Sequence, residues 1–388
     1  MKTARKQRRD QGSGSISQRQ SDGRWVIRLE LPPHQDGRRR RKITTAKTKV
    51  AAVARLRELQ RDLDIAGDLT TSSPTVAEYL KGWMERKSRD DLKPRTAQTY
   101  ESTIKQNIVP AIGRYHLDKL TPIHVRQMQD FILGQGKSPT TALSAYRILA
   151  KALADALRDG RVTRNVAAVA DAPKRAISKR GALTATQARQ LLTSNSSDLS
   201  NAARLSIALL AGLRQGEKLG LTADMIDLKR GIITVAWQLQ SLKANVQIPP
   251  HHEAIQITNS LWLTRPKSRA GWREVPMAPQ LQQILAHYLE RFPPNKHGLI
   301  FHNNGNPIPP AKDGRDWKQA LSNANLEHVP LHSARHTTAT LLHSLGVPDL
   351  VRISILGHSS STVTAGYTHV TTEEAIEAMN KLGRLIES

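Results

Sequence analysis

The stretch LGHSSSTVTAGYTH, Leu356–His369, decides how the rest of the chain is read. It sets His358 nine positions ahead of Tyr367, with small and hydroxylated residues and a glycine between them. Thr362, Thr364 and Gly366 are poor helix formers, so the segment carrying Tyr367 is expected to be only marginally ordered. A structural tyrosine more often buries its ring on a firm element. Alone, the tyrosine establishes nothing; its meaning depends on the polar residues upstream.

Three upstream stretches carry such residues. GLRQGEKLGL puts Arg214 and Glu217 three apart, on one face if the segment is helical. Taken alone, they read as a structural ion pair on a surface helix. PKSRAGWREVPM carries Lys267, Arg269 and Arg273 across an expected hairpin, where a lone lysine reads as solvent decoration. PLHSARHTTATLL sets His332 three residues before Arg335 and four before His336. Two histidines four apart can share a zinc, but no glutamate lies between them as in H-E-x-x-H and no third ligand has an obvious place. His332 making a backbone hydrogen bond in the core is one alternative. An arginine and a histidine on one helical face also suit a phosphate.

The charge points the same way. The 388 residues carry a formal net charge of +25, yet 38% are hydrophobic, enough to build packed cores. A foldable chain this basic most often meets a polyanion, and nucleic acid is the first choice. A membrane surface is second, but no apolar run approaches the roughly 20 residues of a spanning helix. There is no cysteine, so disulfides and thiolate metal sites are excluded. The basic start MKTARKQRRDQGSGS lacks the apolar stretch of a signal peptide, which makes the cytoplasm the default location. Residues 1–50 hold fifteen Lys and Arg against four Asp and Glu, dominated by GRRRRK, Gly37–Lys42.

The length implies two or three domains. After a polar arm at residues 1–12, alternating segments SISQRQ, RWVIRLEL and RRKITT predict three strands. A helix should follow, with Val50, Val53, Leu56 and Leu59 on its apolar face and Gly67 near its end. TTSSPT, Thr70–Thr75, reads as a linker. Helices are expected over 76–88, 94–108, 122–134, 138–159 and 163–168, with Pro94, Pro110, Pro122 and Pro139 at their starts or stops. Asp171–Thr184 reads as a second linker, after which Thr184 can cap a helix. A mainly helical region then runs to the end, interrupted by strand-like stretches at 231–240, 261–267 and 273–277. A final amphipathic helix places Ala375, Ile376, Met379, Leu382 and Ile386 on or near one face.

Taken in order, Arg214, Lys267, His332, Arg335, His358 and Tyr367 form a set, carried by AGLRQGE, PKSRAGWREVP, HSARHTTAT, LGHSS and GYTH. In this set the chain resembles the tyrosine recombinases, and within them the integrases of temperate phages and integrative elements. The resemblance covers the whole chain. It implies a multidomain α+β fold: an arm-type DNA-binding domain of three strands and a helix at 1–68, an all-helical core-binding domain at 75–172, and a mainly helical catalytic domain with a small β-sheet at 183–388. Two departures stand out. The family often has an acidic residue after the first histidine of the HxxR box, where this chain has Ser333. Several arginines crowd the lysine, and Lys267 is preferred over Lys243 because it precedes a serine.

The resemblance implies roles that chemistry can rationalise. Arg214 and Arg335 would clamp the non-bridging oxygens of a phosphodiester. Tyr367 would be the nucleophile, its phenolate favoured by neighbouring cations. Lys267 would protonate the leaving 5′-hydroxyl, with His332 and His358 assisting and Glu217 orienting a member of the set. No metal and no nucleotide cofactor is implied. Arg38, Arg39, Arg40, Arg41 and Lys42 would bind arm sites on DNA distant from the crossover, although non-specific phosphate attraction is the alternative. The implied partners are double-stranded DNA at core and arm attachment sites, three further copies of the chain in a tetramer, an excisionase and a host DNA-bending protein. The implied setting is the nucleoid of a host bacterium. The final helix would dock on a neighbouring protomer or pack on its own domain. The rival functions are a type IB topoisomerase, a DNA-binding regulator without catalysis, and a metal-dependent nuclease, for which no carboxylate cluster is evident.

Overall fold

The computed structural model describes residues 14–33, 37–66, 73–90, 92–174, 181–244, 246, 248–249, 252–266, 271–357 and 371–387. The basic arm at 1–12 and parts of both linkers lie outside these residues. Contacts divide the chain into two units: Met1–Leu92 with Thr96–Ile177, and Lys93–Arg95 with Ser178–Ser388.

The first unit holds two apolar clusters. In one, β1 (Ser15–Gln18), β2 (Trp25–Leu31) and β3 (Arg40–Ala46) form an antiparallel sheet in that order, and α1 (Lys49–Ala66) covers one face. Period-two alternation buries Ile27, Leu29 and Leu31 on β2 while Arg28 and Glu30 face water. The helix meets them with Ala52 and Leu59, and Leu56 and Leu63 pack against that cluster. Val50, expected on this face, is 81% exposed. The buried stripe is Ala52, Leu56, Leu59 and Leu63, and Val50, two residues before Ala52, falls on about the opposite side of the helix.

The other cluster is all helical: α2 (Val76–Asp90), α3 (Pro94–Thr103), α4 (Val109–Ile112), α5 (Pro122–Gly134) and α6 (Pro139–Arg158). Trp83, Ile108, Ile112, Met128 and Ile132 are fully buried, and Trp83 Nε1 donates to Asp155 Oδ2 at 2.8 Å. Pro122 and Pro139 open helices, where a missing N–H costs nothing. Pro110, expected near a helix start or stop, sits at a start. A π turn over Ile104–Ile108 leads directly into α4, and the proline falls in its first turn. The helix expected at 163–168 is absent; Asn165 instead ties a turn to the Ala150 carbonyl at 2.9 Å.

The second unit has one core running from Leu183 to Ile386. It begins with α7 (Ala185–Thr193), whose Thr184 and Gln187 form a capping box, and α8 (Leu199–Ser206). After α9 (Gln215–Leu219) come six short strands. β4 (Ile226–Asp227), β5 (Ile232–Val235) and β9 (Arg273–Pro276) make one sheet. β6 (Gln238–Ser241), β8 (Leu261–Thr264) and β7 (Ala254–Gln256) make a second. One small sheet was the expectation; the stretch 231–240 breaks at Ala236–Trp237 and serves both. The Arg265 guanidinium lies 3.9 Å from the Trp237 ring centroid at that break. Next come α10 (Pro279–Arg291), the ribbon β10 (His302–Asn303) and β11 (Asn306–Pro307), and α11 (Pro310–Asn323). The chain closes with α12 (His332–Ser344), α13 (Asp349–Leu356) and α14 (Thr372–Glu387).

The final helix packs on its own domain. Ala375, Met379, Leu382 and Ile386 are buried in the core of the unit, so docking on a neighbour is not the arrangement found here. Ile376, at 36% exposed, is the large apolar residue that α14 leaves at the surface. Among the described residues no helix is long and apolar enough to cross a membrane.

Candidate active site

Arg214 is delivered by an unusual approach. The helix from Leu199 widens into a π turn at Ile207–Ala211, all five residues buried. Such single-turn bulges recur at functional sites. Gly212 then takes a left-handed backbone, φ +61°, where a Cβ would lie 2.7 Å from Leu356 Cδ2. Arg214 itself precedes α9 as its N-cap, in an extended conformation, rather than standing on a helical face. Glu217 reaches back to it. Its Oε2 accepts the Arg214 backbone N–H at 3.0 Å, and its Oε1 accepts Arg214 Nη1 at 2.6 Å. Glu217 thus caps the backbone N–H at the start of α9 and orients the Arg214 guanidinium with the same carboxylate.

Glu217 is 3% exposed and serves a second arginine, accepting Arg273 Nη2 at 3.0 Å. Burial pushes its carboxyl up, but Arg273 and Arg214 outweigh burial and hold it below the ordinary carboxylate value. Glu217 thus stays ionised.

Arg335 rises from the first turn of α12 and is 3% exposed. Nη1 donates to the Gly212 carbonyl at 2.9 Å, and Nη2 donates to the Leu356 carbonyl. Burial, reinforced by the Arg214 and Arg273 charges, pushes its guanidinium down to about 9, and it remains charged at neutral pH. His332, one turn earlier, is exposed rather than core-facing, with its ring edge-on to His336 at 4.8 Å. Arg214, His332 and Arg335 line one pocket of about 160 Å³, together with Gln215, Lys218 and apolar neighbours. Ser333, the departure from the family pattern, is buried in the first turn of α12 and does not line the pocket.

Three arginines converge on the end of α13. Ile355 O accepts Arg273 Nε at 2.7 Å, Leu356 O accepts Arg335, and Gly357 O accepts Arg214 Nη2 at 3.0 Å. These are consecutive carbonyls at the negative end of a helix, where cations are favoured. Gly357 closes the helix in the left-handed region at φ +65°. The next residue in the chain is His358. His358, Tyr367 and Lys267 lie outside the described residues.

A buried charge cluster supports α9 from behind, and sequence reading did not find it. Lys218 Nζ and Arg204 Nη1 each donate to Asp313 Oδ1 at 2.9 Å, and Gln215 Nε2 donates to Asp313 Oδ2 at 3.1 Å. Arg204 also pairs with Asp316 at 3.0 Å. Burial would raise the Asp313 carboxyl, but Lys218 and Arg204 hold it below its ordinary value. The Lys218 amine is lowered by its own burial, against the pull of Asp313.

The basic run is divided by the pleat. Arg38 and Arg39 are exposed ahead of β3. Arg41 pairs with Glu30 across the sheet at 3.2 Å. Arg40 and Lys42 point to the other, half-buried face. Burial lowers the Lys42 amine, with Asp118 opposing.

Comparison with known proteins settles the family. The phage integrase family matches residues 182–374, and its N-terminal SAM-like domain matches residues 75–133. The chain belongs to the phage integrase family of tyrosine recombinases. It is a tyrosine site-specific recombinase. The recombinase is 28% identical to an integrase of Saccharopolyspora erythraea, over 90% of this chain and 91% of that one. Its fold is similar to that of the Tn1549 transposon integrase in complex with transposon right end DNA, with TM-score 0.62 and 22% identity over 80% of this chain and 99% of that one. It is also similar to a lambda integrase tetramer bound to a Holliday junction, with TM-score 0.57 and 17% identity over 94% of this chain and 99% of that one.

Proposed function

We propose that the recombinase joins the attachment site of a phage or mobile element to one in a host chromosome through a 3′-phosphotyrosine intermediate. Tyr367 gives its phenolic proton to solvent, its Oη attacks the scissile phosphorus in line, and the bond to the 5′ oxygen breaks. Lys267 gives that oxygen its proton. The phosphotyrosine keeps the energy of the broken diester, so a 5′-hydroxyl from a second duplex can reverse the step and complete the joint. Arg214 and Arg335 hold the non-bridging oxygens, where charge develops, while His332 and His358 donate hydrogen bonds. Glu217 fixes Arg214.

One observation carries this reading. Arg214, His332 and Arg335, from segments far apart in sequence, line one pocket beside the helix end that leads to His358 and Tyr367. Around this centre, residues 1–68 would bind arm sites, with Arg38 to Lys42 supplying positive charge. Residues 75–172 would hold the core site, and residues 183–388 would carry the chemistry. Fold similarity to the lambda integrase tetramer on a Holliday junction supports assembly of four copies on DNA; the setting would be the host cytoplasm. An excisionase and a host DNA-bending protein would set direction and DNA path.

The test is a nicked duplex carrying the element's own core site, incubated in EDTA and run on a denaturing gel. Wild type should leave a covalent protein–DNA adduct that Tyr367→Phe abolishes. Wild type that binds a verified site without forming an adduct would instead favour a non-catalytic DNA-binding role. An adduct retained in Tyr367→Phe would move the nucleophile elsewhere.

A further inference from the structure

Arg273 has no part in the chemistry just described, yet it is among the most completely engaged side chains of the site. It opens β9, the strand that follows Lys267 in the chain. All three guanidinium nitrogens meet acceptors: Nε the Ile355 carbonyl at 2.7 Å, Nη1 the Gly271 carbonyl at 3.2 Å, and Nη2 the Glu217 carboxylate at 3.0 Å. Its side chain is 6% exposed, against 38% for Arg214. Unlike Arg214 and Arg335 it does not line the pocket, so it is not placed to hold a phosphate.

What it touches are the two supports of the reacting groups. Glu217 orients Arg214, and Ile355 directly precedes the carbonyls held by Arg335 and Arg214. We propose that Arg273 is a positioning residue for strand cleavage, locking β9, the Glu217 carboxylate and the end of α13 into one unit. It thereby fixes Arg214 and the departure point of the segment leading to Tyr367. Without it, Glu217 keeps only Arg214 as a charged partner and draws it away from phosphate, while the Ile355 carbonyl loses a charged donor. The inference rests on the proposed role of Tyr367.

Full-length wild type, Arg273→Met, Arg273→Lys, Glu217→Gln and the double variant Arg273→Met/Glu217→Gln would be compared on the same nicked core-site duplex. Three readouts are needed: affinity by mobility shift, single-turnover rate of adduct formation at saturating protein, and Tm. Arg273→Met should slow adduct formation on the order of 100-fold, the effect of displacing a reacting group by about 1 Å. Its affinity should stay within about threefold of wild type, since the loss falls on the chemical step. The double variant should be no slower than the slower single one, because both act through one carboxylate. Arg273→Lys should keep affinity and Tm but not rate, since an ammonium cannot serve three divergent acceptors. If Arg273→Met does not fold, Arg273→Lys supplies the decisive rate.

An unchanged rate in the folded variants would overturn the inference. So would fold losses that multiply in the double variant, or affinity and Tm that fall in step with rate in both substitutions. Wild type that forms no adduct would overturn the proposed function itself, a separate result.

Discussion

Asp313 holds two buried cations in place, Arg204 and Lys218, and its side chain is 2% exposed. Removing one member of such a cluster leaves uncompensated charge in the interior, and Asp313→Asn is expected to lose about 3–5 kcal/mol of stability at neutral pH. The same residue sets an acid limit. Its carboxyl titrates lower in the folded protein than its unfolded value of 3.8. Its contribution is therefore complete above that value and is lost as pH falls through the lower folded one. Calorimetry from pH 7 to pH 3 should show wild-type Tm dropping steeply at the acid end. Asp313→Asn should start lower and fall less over that range. Parallel curves would mean that Asp313 contributes nothing through its charge. None of this cluster was visible in the sequence, because Asp313 lies 109 positions from Arg204 and 95 from Lys218, and no periodicity links them.

At the level of elements, the site depends on how helices end. Gly212 must adopt φ +61° with Leu356 pressed against it. Gly212→Ala forces a left-handed backbone on a residue with a Cβ and is expected to cost about 2 kcal/mol or more. It would also displace Arg214, two residues on, so adduct formation should fall further than Tm alone explains. Retention of wild-type cleavage would show that the turn is not what aims the arginine. The elements themselves were legible wherever one local rule decided them. Thr184 marked a helix start, alternation marked β2, and Pro122 and Pro139 marked helix openings. The spacing of His332 and Arg335 suited one helical face, and the structure puts both in the first turn of α12, lining the pocket. Misreadings arose where tertiary packing decided. β7 is three residues long and exists by pairing with β8. The break at Ala236–Trp237 depends on two sheets competing for one stretch. Arg273 was read as crowding around Lys267, because nothing local reveals that Glu217 lies across from it, 56 positions away.

For the whole molecule, the net charge of +25 predicts affinity for any DNA, falling steeply with salt. The arginines ahead of β3 are exposed, whereas Lys42 is turned to a half-buried face. Arg38→Ala with Arg39→Ala should therefore lower the salt slope on arm-site duplexes by about two, roughly one per phosphate contact. An unchanged slope would remove these two residues from the DNA contact. A last consequence follows from the arginines at the end of α13. Arg214, Arg273 and Arg335 bring three positive charges, and Glu217 returns one negative charge, leaving a surplus of two. Under the proposed function, one phosphodiester with its single negative charge would halve that surplus. Folding and substrate capture become linked equilibria, in which multivalent buffer anions act as surrogate counterions, raising the melting temperature while competing with DNA.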